Sequence, residues 1–138
     1  MSHSTDPHVA LRVVMMPKDT NQYGSVFGGV ILSYIDQAAF IEARRHGNHR
    51  WVTVSIDKVD FHAPVLVGDV VEFRTCTERT GRSSVGVRIV VEAERYATGD
   101  VVRVTEASMT MVSVDARLRP IPFSGPASVV TDPLESRG

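Results

Sequence analysis

One stretch of helical period is set among five of strand character along this chain. Val30, Ile31, Leu32, Tyr34, Ile35, Ala38, Ala39, Phe40, Ile41 and Ala43 leave almost no polar side before Glu42. A helix that is apolar nearly all round belongs in a core, so the pattern predicts one long buried helix from Gly28 to about Arg45. Arg44 and Arg45 fall in its last turn, where cations suit the helix dipole, and Gly47-Asn48 end it. Beyond it the period drops to two. Trp51 to Phe61 alternates through Val52, Val54 and Ile56, then changes phase to Val59 and Phe61, which predicts a bulge. Val71, Phe73 and Thr75 alternate with Glu72 and Arg74. Val85, Val87, Ile89 and Val91 alternate with Arg88, Glu92 and Glu94. Turns at Gly68-Asp69 and Thr98-Gly99-Asp100 separate these runs, and Val101 to Val114 is the last strand. Ahead of the helix, Val9 to Met15 reads as a strand and Pro17 to Phe27 as a loop.

One core helix with five strands predicts an α+β fold, an antiparallel sheet wrapped around a long central helix. The 138 residues suit a single domain, placed at 9–115, with 1–8 and 124–138 as flexible tails. Such a sheet keeps an open edge and leaves some helix surface uncovered, so self-association is expected.

Charge narrows the function classes. A net charge of −1 and a pI near 6.5 give no electrostatic reason to bind nucleic acid or an anionic membrane. No apolar run approaches the roughly 18 residues of a membrane span, and MSHSTDPH at the start is polar. A lone Cys76 suits a reducing compartment, and the expected location is the cytoplasm. His46 and His49, beside Gly47 and Asn48, read as a loop and not as a metal site, so no metal is expected.

The chemistry concentrates in NQYGSVFGGVILSYID, Asn21 to Asp36. Asp36 interrupts the apolar helix, and an ionised carboxylate is costly to take out of water. It is paired (Ser33 or Tyr34 being the near candidates), facing solvent, or chemically active. Gly28 and Gly29 either permit close helix–sheet packing or leave a helix N-terminus open to a ligand carbonyl. Asn21 either shapes an Asx turn or offers its amide to a substrate. Gly81-Arg82-Ser83-Ser84 is a hairpin turn whose arginine is either solvated or available to phosphate.

Taken together, MPKDTNQYGSVFGGVILSYIDQAA, VTVSIDKVDFHAPVLVGD and ERTGRSSVGVRIVVEAE resemble the hotdog-fold acyl-CoA thioesterases, in the branch of the bacterial acyl-CoA hydrolases and cytosolic brain-type enzymes. The likeness runs in order from about Met15 to Val114. It implies hydrolysis of an acyl-CoA to free acid and coenzyme A. Asp36 takes the place of the helix carboxylate, acting as general base or direct nucleophile. Asn21 matches the loop amide that binds the carbonyl or positions water. Gly28 matches the glycine whose N–H faces the oxyanion, and Gly29 beside it is expected to bind the coenzyme A substrate. Arg82, Ser83 and Ser84 match the segment at the nucleotide end of coenzyme A. No metal or organic cofactor is implied. Relatives assemble as dimers, commonly as hexamers built from three dimers.

Eight residues separate Gly28 from Asp36, so along one helix they stand roughly 12 Å apart. No single carbonyl reaches both at about 3 Å, and a working site is expected to join two subunits. Two other classes compete. A hotdog hydratase or dehydratase needs a histidine, and none lies between Pro17 and Asp36. A non-catalytic acyl-CoA sensor would keep the pocket and has no need of the carboxylate.

Overall fold

The computed structural model describes residues 6–129. Its elements are β1 (His8–Val14), a 3-10 turn (Pro17–Asp19), α1 (Gly28–Arg44), β2 (Arg50–Phe61), β3 (Val70–Thr80), β4 (Ser84–Glu94) and β5 (Val101–Val114). All strand pairs are antiparallel, in the order β1-β3-β4-β5-β2. The α+β arrangement is as the sequence predicts.

Helix α1 lies against one face of this sheet. Ile31, Ile35, Ala38, Ala39, Glu42 and Ala43 are buried, a stripe at the i, i+4, i+7, i+8 spacing of a single helix face. They meet Phe73, Val85, Val87, Ile89 and Met109 from the strands in one core. The opposite face is open. Ser33, Asp36, Gln37, Phe40 and Ile41 are exposed, so the expectation of a helix buried all round fails for the chain alone. The apolar residues on that side have no cover within the chain.

Strand β2 also departs from its sequence pattern. Its register slips twice against β5, once between Thr53 and Ser55 and once between Ile56 and Lys58. The second slip is the predicted phase change; the first, at Val54, was not predicted. Trp51, Thr53, Ile56, Val59 and Phe61 pair with Ser113, Met111, Met109, Ala107 and Thr105. Met111, Met109 and Ala107 are core residues, so this set faces the helix, and the alternation read through Val52 and Val54 is out of phase. A bulge moves one residue out of the ladder and re-aims those beside it. Here it puts the hydroxyl of Thr53 on the helix side and leaves Val54 56% exposed.

Of the two expected tails, residues 1–5 and 130–138 lie outside the described residues. His8 belongs to β1 and pairs with Thr75. Past β5 the chain turns back over the sheet end. Ile121 N–H donates to Ser113 O (2.9 Å), Phe123 N–H to Arg82 O (3.2 Å) and Ser128 N–H to Asn48 O (3.1 Å). Within the expected tail, Ser128 N–H and Val129 N–H (3.4 Å) both reach Asn48 O, so the chain is anchored there.

Candidate active site

The loop before α1 is folded by its own polar groups. Asn21 N–H donates to Ser25 O (2.8 Å), and Asn21 Oδ1 accepts from the N–H groups of Tyr23 (2.9 Å) and Ser25 (3.1 Å). Two backbone donors identify that side-chain atom as the oxygen. Asn21 therefore does form an Asx turn, and its Nδ2 amide is left as the donor for an outside group. Gly24, at φ 84°, supplies the left-handed residue that closes the turn.

Phe27 N–H donates to Asp19 O (3.1 Å) and Val26 N–H to Val65 O (2.7 Å), which fixes where the helix begins. Phe27 O accepts from Val30 and Ile31 N–H. Gly28 and Gly29 carry the first two N–H groups of the helix, which have no earlier helical carbonyl to bond. A Cβ at Gly28 would meet only the Phe61 ring, at 3.8 Å, and one at Gly29 would meet nothing within 4 Å. Close helix–sheet packing is thus not what these glycines serve in this chain. The space beside them is open.

Asp36 is held by a residue that sequence reasoning left without a role. Thr53 Oγ1 donates to Asp36 Oδ1, and Thr53 Oγ1 is 3.3 Å from Met111 Sδ. A hydroxyl has one proton, and the carboxylate is much the stronger acceptor. The partner is this strand hydroxyl, not Ser33 or Tyr34. Asp36 and Thr53 line a depression of about 480 Å³ with Phe40, Ile41, Trp51 and Met111. Gly28 lines a different one, with Ile31, Phe61 and Val65.

Helix α1 is unbroken from Gly28 to Arg44, so the roughly 12 Å between Gly28 and Asp36 stands. The chain brings Asn21 and Gly28 to one loop–helix junction and sets Asp36 two turns away. Arg82 and the two serines sit at the tip of the β3–β4 hairpin, where Gly81 N–H donates to Ser84 O (2.8 Å) and Ser113 N–H to Ser83 O (2.8 Å). Arg82 is exposed. Val85 is opposite Met111, and Met111 is opposite Thr53. The hairpin tip is therefore two strands, about 10 Å, across from the Thr53–Asp36 contact, and a few residues further along.

The buried carboxylate of the helix is Glu42, not Asp36. Glu42 is 4% exposed. It accepts from Thr75 Oγ1 (3.1 Å) and Thr77 Oγ1 (2.7 Å), and His8 Nε2 stands 2.9 Å away. Threonines spaced by two on the inward face of β3 were the available signal, since such hydroxyls can satisfy an acid on a facing helix. Elsewhere, burial pushes the Cys76 thiol up from its ordinary pKa, which keeps it a thiol and a poor nucleophile.

The model of the thioesterase superfamily matches residues 23–99. The acyl-CoA thioester hydrolase YciA of Salmonella typhimurium is 35% identical over 131 residues, covering 91% of this chain and 98% of that protein. The chain belongs to the thioesterase superfamily. A hexameric hotdog fold thioesterase of Campylobacter jejuni superposes on this thioesterase with a TM-score of 0.77 at 40% identity, covering 83% of this chain and 88% of that one. The hotdog fold is therefore that of this chain too. An acyl-CoA hydrolase from Staphylococcus aureus, solved with butyryl coenzyme A and coenzyme A, gives a TM-score of 0.74 at 27% identity, over 92% and 76% of the two chains. Two further structures of that enzyme replace by alanine an asparagine and an aspartate fifteen positions apart.

Proposed function

We propose that this thioesterase hydrolyses acyl-CoA thioesters to the free carboxylic acid and coenzyme A, with Asp36 as its catalytic carboxylate. The observation that carries the reading is the placement of Asp36. It is fixed by Thr53 at the edge of an apolar depression, and it follows Asn21 by the same fifteen positions that separate the substituted pair in the Staphylococcus aureus enzyme. Asp36 takes the proton of a water whose oxygen attacks the thioester carbonyl, or attacks that carbonyl itself to give a mixed anhydride that water then opens. In both routes the C–S bond breaks and the thiolate leaves as coenzyme A, taking up a proton. The Gly28 N–H, at the positive end of α1, stabilises the oxyanion, and the free Nδ2 of Asn21 orients the carbonyl or the water. Arg82, Ser83 and Ser84 receive the nucleotide end of coenzyme A. No metal or organic cofactor is called on.

The oxyanion donors belong to a second subunit. Neither depression of one chain contains both Asp36 and Gly28, and the open helix face and β2 edge are the surfaces a second copy would cover. The pairing is a dimer, and a hexamer of three dimers is the larger assembly proposed. The proposed compartment is the cytoplasm, whose reducing conditions suit the lone Cys76.

Thiol release from a panel of short to long acyl-CoAs, with wild type and Asp36→Ala side by side, tests the proposal. Removing a general base lowers turnover by about 10²–10⁴-fold, and the variant is expected to fall in that range with its assembly intact. Wild-type protein that binds acyl-CoA and releases no thiol would make it an acyl-CoA sensor instead.

A further inference from the structure

The apolar depression beside Asp36 extends toward Trp51, and its wall comes partly from outside the family's matched region. Helix α1 and β2 run antiparallel: Asp36 meets Thr53, and a Cβ at Gly28 would meet Phe61. Going from Asp36 to Phe40 advances about 6 Å along the helix. Going from Thr53 back to Trp51 advances about 7 Å in the same direction. Phe40, Ile41, Trp51 and Met111 therefore flank one groove that leads from the carboxylate toward Trp51. Trp51 is 5% exposed and cannot swing freely. Its Nε1–H donates to Gly47 O at 3.0 Å, and the Phe123 ring packs on it at 5.8 Å. Phe123 is itself tied at both ends of its peptide, by its N–H to Arg82 O (3.2 Å) and by its O to His49 Nε2 (2.8 Å). It lies on the returning C-terminal segment, beyond the matched residues 23–99.

We infer that this groove takes the acyl tail of the substrate, and that Trp51, backed by Phe123, is its end wall and sets the acyl length. The inference rests on the proposed role of Asp36. The groove's chemistry favours an acyl tail over the coenzyme A arm. The arm carries amides that need hydrogen-bond partners when buried. Here the Thr53 hydroxyl is spent on Asp36 and the Trp51 N–H on Gly47. Gln37 offers its amide only at the Asp36 end, and toward Trp51 the walls of Phe40, Ile41, Val52 and Met111 are hydrocarbon and sulfur. Phe123 acts through Trp51 and is a positioning residue.

The test compares kcat/KM across saturated acyl-CoAs of increasing length for wild type, Trp51→Leu, Phe123→Ala and Ile41→Trp. The same series is measured as dissociation constants in an Asp36→Ala background. Trp51→Leu and Phe123→Ala are expected to move the preference toward longer chains. Ile41→Trp, at a half-open position that tolerates size, is expected to move it toward shorter ones. Each shift should be on the order of tenfold between adjacent lengths near the optimum. A length profile that stays put in Trp51→Leu and Ile41→Trp overturns the inference. So does a KM that rises equally at every length, which would assign the groove to the coenzyme A arm. An Asp36→Ala variant that still turns over would instead overturn the catalytic reading, and the length ranking in its dissociation constants would continue to judge the groove.

Discussion

At the scale of single residues, the two carboxylates of α1 exchange the places their sequence context suggests. Asp36 sits among apolar neighbours and is exposed, whereas Glu42 marks the start of the polar end and is buried. A tertiary hydroxyl decides each case: Thr53 holds Asp36 at the surface, and Thr75 and Thr77 satisfy Glu42 inside. Thr53→Val keeps the shape and removes the hydroxyl, so the protein is expected to stay folded while kcat falls about tenfold, the order of one hydrogen bond to a charged group. Unchanged kcat in steady-state thiol release would remove Thr53 from the site. Glu42→Ala leaves two buried hydroxyls without their acceptor, and urea unfolding should register a loss of roughly 2–4 kcal/mol. Cys76, buried and with its thiol favoured over thiolate, should resist iodoacetamide at neutral pH until the protein is unfolded. Asp36 stands out in the sequence because it interrupts an apolar helix, whereas Asn21, Gly28 and the GRSS turn are singled out by the family resemblance. Thr53 was not, because a threonine in a strand is ordinary, and only the fold shows what it touches.

At the scale of elements, the helix stripe and the turns follow closely from the sequence, and β2 does not. Alternation identifies a strand by assuming that apolar residues face inward. In β2 a polar Thr53 takes an inward position and Val54 bulges out, so the rule fails beside Asp36. The β2–β3 connection is pinned by Asp69, which accepts from Leu66 N–H (2.9 Å) and Arg95 Nη1 (2.6 Å) while 1% exposed. Breaking a buried pair by removing one partner is costly, and Asp69→Ala is expected to lose about 3–5 kcal/mol in denaturant unfolding. The turn after β5 depends on Asp115, whose carboxylate is held below the usual range by the N–H groups of Arg119 and Arg117 and by the Arg119 guanidinium. A depressed folded pKa gives stability that is present above the unfolded value of about 3.9 and lost as pH falls through the folded value. Amide protection in residues 115–119, relative to the intrinsic exchange rate at each pH, should therefore fall below about pH 4, ahead of the core strands. Equal protection of turn and core down to global unfolding would contradict this.

At the scale of the whole molecule, one chain is an incomplete object. Val54 and Ile56 on the edge of β2, Phe40 on α1, and Phe27 and Phe61 near the helix start are 39–56% exposed. A long apolar edge strand of this kind calls for a partner. Val54→Lys should yield a smaller species in light scattering and lose thiol release with it. An active monomer would sever the link between assembly and chemistry. The most direct measurement mixes two inactive proteins. Asp36→Ala and Asn21→Ala chains are co-expressed and their joint assemblies isolated by two tags. If each site takes Asp36 from one subunit and Asn21 with Gly28 from the other, a joint dimer holds one intact site of its two. Thiol release should then return to about half the wild-type rate per joint dimer. Joint assemblies no more active than their parents would contradict a site shared between subunits.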